Sequence, residues 1–186
     1  MAKKVLILNG SPRINGNTSG LTSAFKKGAE DAGHTVKEYF VATMNINGCK
    51  SCYKGTKNPY DPCVIKDDMC KIYPDYFDCD VLVFASPLYY WNISGYLKTV
   101  IDRFFGVAEC YPGLKNPFKE TVLLMVAEGD GFKQSVDWYR AFTSNCGWKN
   151  LGEVLCGFVE HPGDIENKAD VLVEAYNLGF NGLYTF

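Results

Sequence analysis

Along the chain, short apolar runs alternate with longer segments in which apolar positions recur every three or four residues. The runs VLIL at 5–8, VLVFA at 81–85 and VLLMVA at 122–127 show no polar alternation, as expected of strands buried on both faces. Further strands are predicted at about 35–40 and 153–159. Between them, residues 18–32 place Leu21, Phe25 and Ala29 on one helical face before Gly33, and residues 94–105 place Leu97, Ile101 and Phe104 on one stripe. Helices are also predicted over 131–146 and 164–178, and residues 67–77 read as a short helix capped by Asp67 and interrupted at Pro74. The order is βαβ repeated, which predicts an α/β fold with a parallel sheet covered by helices on both faces. One stretch breaks the rhythm: residues 43–66 lack periodicity, and a connection that long in a compact domain is usually a functional lid or disordered.

Composition narrows the partners. A chain of 186 residues fits a single domain over 1–186, and 47% hydrophobic with 22% charged residues is ordinary globular usage. The net charge of −2 suits neither a nucleic-acid-binding face nor the strongly acidic surface of a small electron carrier. The apolar runs have strand length, short of the ~18 residues of a membrane span, and MAKKVLILNG is too short for a signal-peptide core. A cytoplasmic protein that binds no membrane is expected, and in a reducing compartment its eight cysteines should be free or ligating.

In an open parallel sheet, ligands bind beyond the carboxyl ends of the strands near the switch in strand order. After the first strand comes NGSPRINGNTSG at 9–20. Its glycines let backbone amides turn inward, Ser11, Asn17, Thr18 and Ser19 supply neutral donors, and the stretch runs into a helix N-terminus that favours an anion. No Lys follows the last Gly as in a triphosphate loop, so a monophosphate fits better, with Arg13 as the nearby cation. After the third strand comes SPLYYWNIS at 86–94, whose consecutive Tyr89, Tyr90 and Trp91 form either a platform for a planar ring or a cover for a sheet edge or subunit interface. After the fourth comes AEGDG at 127–131, where Gly129 and Gly131 permit close backbone approach to a ligand. A phosphate cradle beside an aromatic platform points to flavin mononucleotide, FMN.

Four pieces ordered along the chain carry a resemblance: GSPRINGNTS at 10–19, GCKSC with CVIKDDM at 48–52 and 63–69, SPLYYWNISGYLKTVIDR at 86–103, and PGDI at 162–165. With them the sequence resembles the flavodoxin-fold NAD(P)H-dependent FMN reductases, including their iron-sulfur flavoprotein branch. The resemblance implies a flavodoxin-like three-layer sandwich with a five-stranded parallel sheet in the order 2-1-3-4-5. It also implies non-covalent FMN, a homodimer or homotetramer with the flavin near the subunit interface, and hydride transfer from NAD(P)H to the flavin and on to a small-molecule acceptor such as a flavin or quinone. By motif position, Ser11, Arg13, Asn17, Thr18 and Ser19 would hold the phosphate, while Pro87, Leu88, Tyr89, Trp91 and Asn92 would line the ring. Such chemistry requires no acid–base side chain, since the cofactor carries it, so neither His34 nor His161 is expected to be catalytic. On the matching helix, Leu97, Lys98, Ile101, Asp102 and Arg103 are accounted for by packing and a Lys98–Asp102 pair.

The alternative is an iron-sulfur flavoprotein or flavodoxin-like electron-transfer protein, with Cys49, Cys52, Cys63 and Cys70 as cluster ligands; structural zinc is a further possibility. The branch pattern has a third cysteine soon after the C-x-x-C, whereas Cys63 lies eleven residues beyond Cys52, so a cluster is disfavoured. The expectation is partly buried free thiols in a loop over or beside the flavin site, with Tyr53 and Tyr60 available for contact.

Overall fold

The structure, a computed structural model, describes residues 1–183. Five parallel strands, β1 (Lys4–Asn9), β2 (Thr35–Phe40), β3 (Val81–Pro87), β4 (Glu120–Val126) and β5 (Lys149–Cys156), form one sheet in the order 2-1-3-4-5. The three central strands are the unbroken apolar runs, because both of their faces are covered. Leu6, Leu8, Leu82, Phe84, Leu123 and Met125 face α2 (Met69–Asp78), α3 (Gly95–Arg103) and α5 (Lys133–Asn145). Val5, Ile7, Val81, Val83, Val122 and Leu124 face α1 (Asn17–Asp31) and α6 (Ala169–Phe180). Each such side chain, fully buried, stabilises the fold by about 1.5–3 kcal/mol. A short helix, α4 (Phe105–Ala108), follows α3, and no helix among the described residues is long and apolar enough to cross a membrane.

Several boundaries differ from the sequence reading for physical reasons. β5 begins at Lys149 and ends at Cys156, because an edge strand tolerates the polar, partly exposed start Lys149-Asn150 that hides it from an apolar-run search. Val159 therefore falls in the loop beyond it. Pro74 lies inside α2 without interrupting it: the proline forgoes one helical hydrogen bond, while Met69, Ile72, Tyr73 and Tyr76 keep the helix seated on the sheet. The stretch 94–105 divides at Phe104 into α3 and α4, and 164–178 divides into a 3-10 turn at Asp164–Asn167 and α6. Asp68 occupies the N-cap position of α2 without a side-chain cap bond, while Asp67 Oδ1 accepts from Met69 N–H, the first amide of the helix, at 3.1 Å and has a second use described below.

The aperiodic connection after β2 starts with a 3-10 turn at Val41–Thr43 and packs against α2, α3 and α4. Tyr53 sits edge-on to Phe105, with ring centroids 5.8 Å apart, and Tyr60 edge-on to Phe77 at 4.8 Å while its hydroxyl donates to Asp78. Both tyrosines thus contact helix side chains, with Tyr53 71% and Tyr60 43% exposed.

Candidate functional site

The turn after β1 is built on main-chain bonds. Gly10 N–H donates to Ala85 O at 2.8 Å, and Ser94 Oγ donates to Gly10 O at 2.8 Å, which joins this turn to the start of α3. A Cβ at residue 10 would lie 2.5 Å from Ser94 Oγ, so the approach requires glycine. Asn9 Oδ1 accepts from Ser11 N–H at 3.0 Å and its amide donates to Glu38, while Gly16 N–H closes onto Arg13 O at 3.0 Å. Helix α1 then begins at Asn17 with no side-chain cap, leaving its first amides without a helical partner.

The turn after β3 is strained. Tyr89 and Asn92 exchange main-chain hydrogen bonds at 2.8 and 3.1 Å around Tyr90 and Trp91, whose φ values are +48° and +59°. This two-residue turn normally takes Asn-Gly, and side chains held there cost on the order of 1–3 kcal/mol each. Ser135 Oγ donates to Trp91 O at 2.9 Å, and the Trp91 ring lies over Gly131, where a Cβ would be 3.3 Å away. Tyr90 is 94% exposed.

Both turns open into one cleft of about 380 Å³, within the usual range for small-ligand sites. Of the sequence candidates, Ser11, Arg13, Asn17, Thr18, Pro87, Leu88 and Tyr89 line it. Ser19 is buried outside it, with its Oγ directed to Arg13 O, and Trp91, Asn92 and Gly129 do not line it. Seven further residues line it: Gly16 and Tyr90, which belong to the same two motifs, and Val126, Ala127, Glu128, Val159 and Glu160. Arg13 is the cation of the cleft and makes no ion pair among the described residues; Glu128 and Glu160 are its anions. The arrangement offers an anion-binding end, from Arg13 and the amides of α1, and a flat apolar end, from Pro87, Leu88 and Tyr89. An FMN phosphate and ring match those two ends. Neither histidine lines the cleft: His34 is buried with Nδ1 accepting from Lys3 N–H, and burial lowers its pKa, while His161 is exposed.

Asn17 does more than line the cleft. Its Nδ2 donates to His161 O at 2.9 Å, and its Oδ1 accepts from Gly163 N–H and Ile165 N–H, both at 3.2 Å. The side chain assigned to a phosphate thus also clamps the segment 161–165 to the first turn, through Oδ1 and one of the two Nδ2 donors. Asp164 reinforces the clamp by accepting from Glu160 N–H and His161 N–H at 2.9 and 2.7 Å. The clamp fixes Val159 and Glu160 as the far wall, which explains PGDI at 162–165; a polar side chain that needs three partners was the available signal.

The cysteine loop stands apart. Arg103, 1% exposed, donates through Nη1 to Asn47 O at 2.7 Å and Asp67 Oδ2 at 2.9 Å, and through Nη2 to Ile65 O at 3.2 Å and Asp67 Oδ1 at 3.3 Å. Burial opposes the charge of Asp67, but the Arg103 guanidinium and the main-chain N–H groups of Asn47 and Met69 outweigh it and hold the carboxyl below its usual range. Residues assigned to helix packing and capping are therefore the anchor of the loop. No residue of 45–68 lines the cleft. Cys49 and Cys52 are exposed, Cys63 and Cys70 half-buried, and Cys70 lies in α2. No group of three or more His, Cys, Asp or Glu side chains among the described residues comes together to hold a metal ion. The four thiols as placed do not fit a cluster.

A family model described as NADPH-dependent FMN reductase matches residues 3–154. An iron-sulfur flavoprotein of Archaeoglobus fulgidus is 32% identical over 126 residues, covering 68% of this chain and 56% of its own. An iron-sulfur flavoprotein of Methanosarcina thermophila is 32% identical over 100 residues, covering 54% of this chain and 51% of its own. The chain thus spans about half the length of the curated relatives it matches. In structure, it is similar in fold to an NAD(P)H:quinone oxidoreductase of Methanothermobacter marburgensis, with a TM-score of 0.80 at 21% identity and 100% coverage of both chains.

Proposed function

Because the chain belongs to the NADPH-dependent FMN reductase family, we propose that it holds FMN in the cleft between the turns after β1 and β3 and acts as an NAD(P)H-dependent oxidoreductase. The observation that carries this reading is the convergence of the uncapped start of α1, Arg13 and the Pro87–Tyr90 turn on one cleft. FMN bound there supplies the two-electron chemistry between a nicotinamide donor and a flavin, quinone or similar acceptor. The protein supplies position and electrostatics. Arg13 and the amides of Asn17 and Thr18 neutralise the phosphate; Pro87 and Leu88 present an apolar wall to the ring; Asn17 holds the opposite wall through 161–165. With no histidine in the cleft, no proton relay through imidazole enters the reading. The same reading assigns the exposed Tyr90, Trp91 and Tyr96 to contact with a second copy of the chain, as a homodimer or homotetramer.

The test is direct. Purified protein should carry a flavin absorbance that bleaches at once on anaerobic addition of NADH or NADPH, with turnover restored by a flavin or quinone acceptor. Flavin that stays oxidised until dithionite is added would replace this reading with that of an electron carrier.

A further inference from the structure

A second, small cavity of about 30 Å³ lies under the cysteine loop and shares no lining residue with the flavin cleft. Cys49, Cys52 and Cys63 all line it, with Lys50 and Arg103 beside them. All three thiols are free, and Cys49 and Cys52 are exposed. Ser51 lies at φ +49°, and its N–H donates to Cys49 Sγ at 3.4 Å. Beside this stretch, Nη1 and Nη2 of Arg103 are taken by Asp67 and by the carbonyls of Asn47 and Ile65, while its buried Nε–H has no hydrogen-bond partner among the described residues. A buried donor without a partner is costly. The cavity therefore presents two accessible thiols in a wall that also holds Lys50, Glu109 and the Asp67-paired guanidinium of Arg103. Residues 48–54 make no main-chain hydrogen bond to other described residues, so local adjustment suffices to bring two sulfurs three residues apart into contact.

We propose that this cavity is a thiol oxidation site, in which a hydroperoxide converts the Cys49 and Cys52 thiols into a disulfide within the loop. The Cys49 sulfur, its proton released, attacks one peroxide oxygen. The O–O bond breaks, the departing oxygen leaves with a proton as an alcohol, or as water from hydrogen peroxide, and Cys49 is oxidised to a sulfenic acid. The Cys52 sulfur then attacks Cys49 Sγ, the S–O bond breaks, and the hydroxyl leaves with the Cys52 proton as water. Two thiols and one hydroperoxide thus give one disulfide, one alcohol and one water. Arg103 lies beside the anions formed on the way, and small thiols reverse the step by exchange.

The full chain, reduced and freed of reductant, is treated with one equivalent of hydrogen peroxide and followed by intact mass and disulfide mapping. The expected result is a loss of two hydrogen atoms and a disulfide mapped to Cys49 and Cys52 in the wild type, peroxide consumption slowed by about tenfold in Cys49→Ser, a gain of one oxygen on Cys49 without a disulfide in Cys52→Ser, and little change in Cys146→Ser. Should a serine variant fail to fold, alkylation of the wild type decides instead: Cys49 and Cys52 should react with iodoacetamide first and become protected together after peroxide. A disulfide mapped elsewhere, peroxide consumption no faster than that of free cysteine, or purified protein whose Cys49 and Cys52 are occupied by iron overturns the proposal.

Discussion

The turn after β1 and the connection after β2 are both polar, irregular segments at the carboxyl edge of the sheet, yet they are held in opposite ways. The first is fastened at many points by neutral main-chain bonds, to Ala85, Ser94 and, through Asn17, to 161–165. The second is held by side chains, the buried pair of Arg103 with Asp67 and the contacts of Tyr53 with Phe105 and Tyr60 with Phe77, and residues 48–54 make no main-chain hydrogen bond to other described residues. The difference separates two tasks. A pocket that must fit a fixed ligand gains from main-chain restraint, whereas a segment without it leaves Cys49 and Cys52 exposed to solvent.

The largest blow to that contrast should come from Asp67→Ala, which leaves the Arg103 guanidinium buried and unpaired. Urea denaturation should show a loss of about 3–5 kcal/mol, with faster alkylation of Cys63. The same pair sets a pH dependence. Because the folded Asp67 carboxyl is held below its unfolded value, its contribution is present above the ordinary carboxylate range and is lost as pH falls through the depressed folded value. The wild type should therefore lose this stability in acid, and an Asp67→Asn variant should show a flatter profile. If the two profiles coincide, the pair does not anchor the loop.

Next in size, Asn17→Ala should cost about 1–3 kcal/mol by stranding buried partners, and should also lower flavin content by releasing the wall at 159–160. Asn17→Asp, which keeps the oxygen that accepts from Gly163 and Ile165, should recover part of both. Smaller still, the Ser11→Ala/Arg13→Ala double variant should leave thermal stability nearly unchanged while weakening FMN retention by about tenfold. Unchanged flavin content would remove these residues from the phosphate site. Smallest, Tyr90→Asn should stabilise the protein by about 1 kcal/mol, since Asn adopts the left-handed conformation with less strain.

The central strands and α1 were legible because burial on both faces of a sheet, or on one stripe of a helix, writes itself as periodicity. β5 was displaced because an edge strand needs no such signature at Lys149-Asn150. In the site, the donor-rich 9–20 and aromatic 86–94 were legible by residue type. The roles of Asn17 and Arg103 were not, because each depends on partners far along the chain: His161 for one and Asp67 for the other. Val159 and Glu160 were hidden for a related reason, as the misplaced end of β5 had folded Val159 into a strand.

The Asn17 clamp has a bearing on how the protein comes into being. It closes the cleft with bonds between residues 144, 146 and 148 positions apart. Contacts of such separation are slow to form, and during synthesis the far wall does not exist until most of the chain has left the ribosome. For FMN held there as proposed, capture follows the arrival of residues 159–165, and the sheet forms before a cofactor can template it.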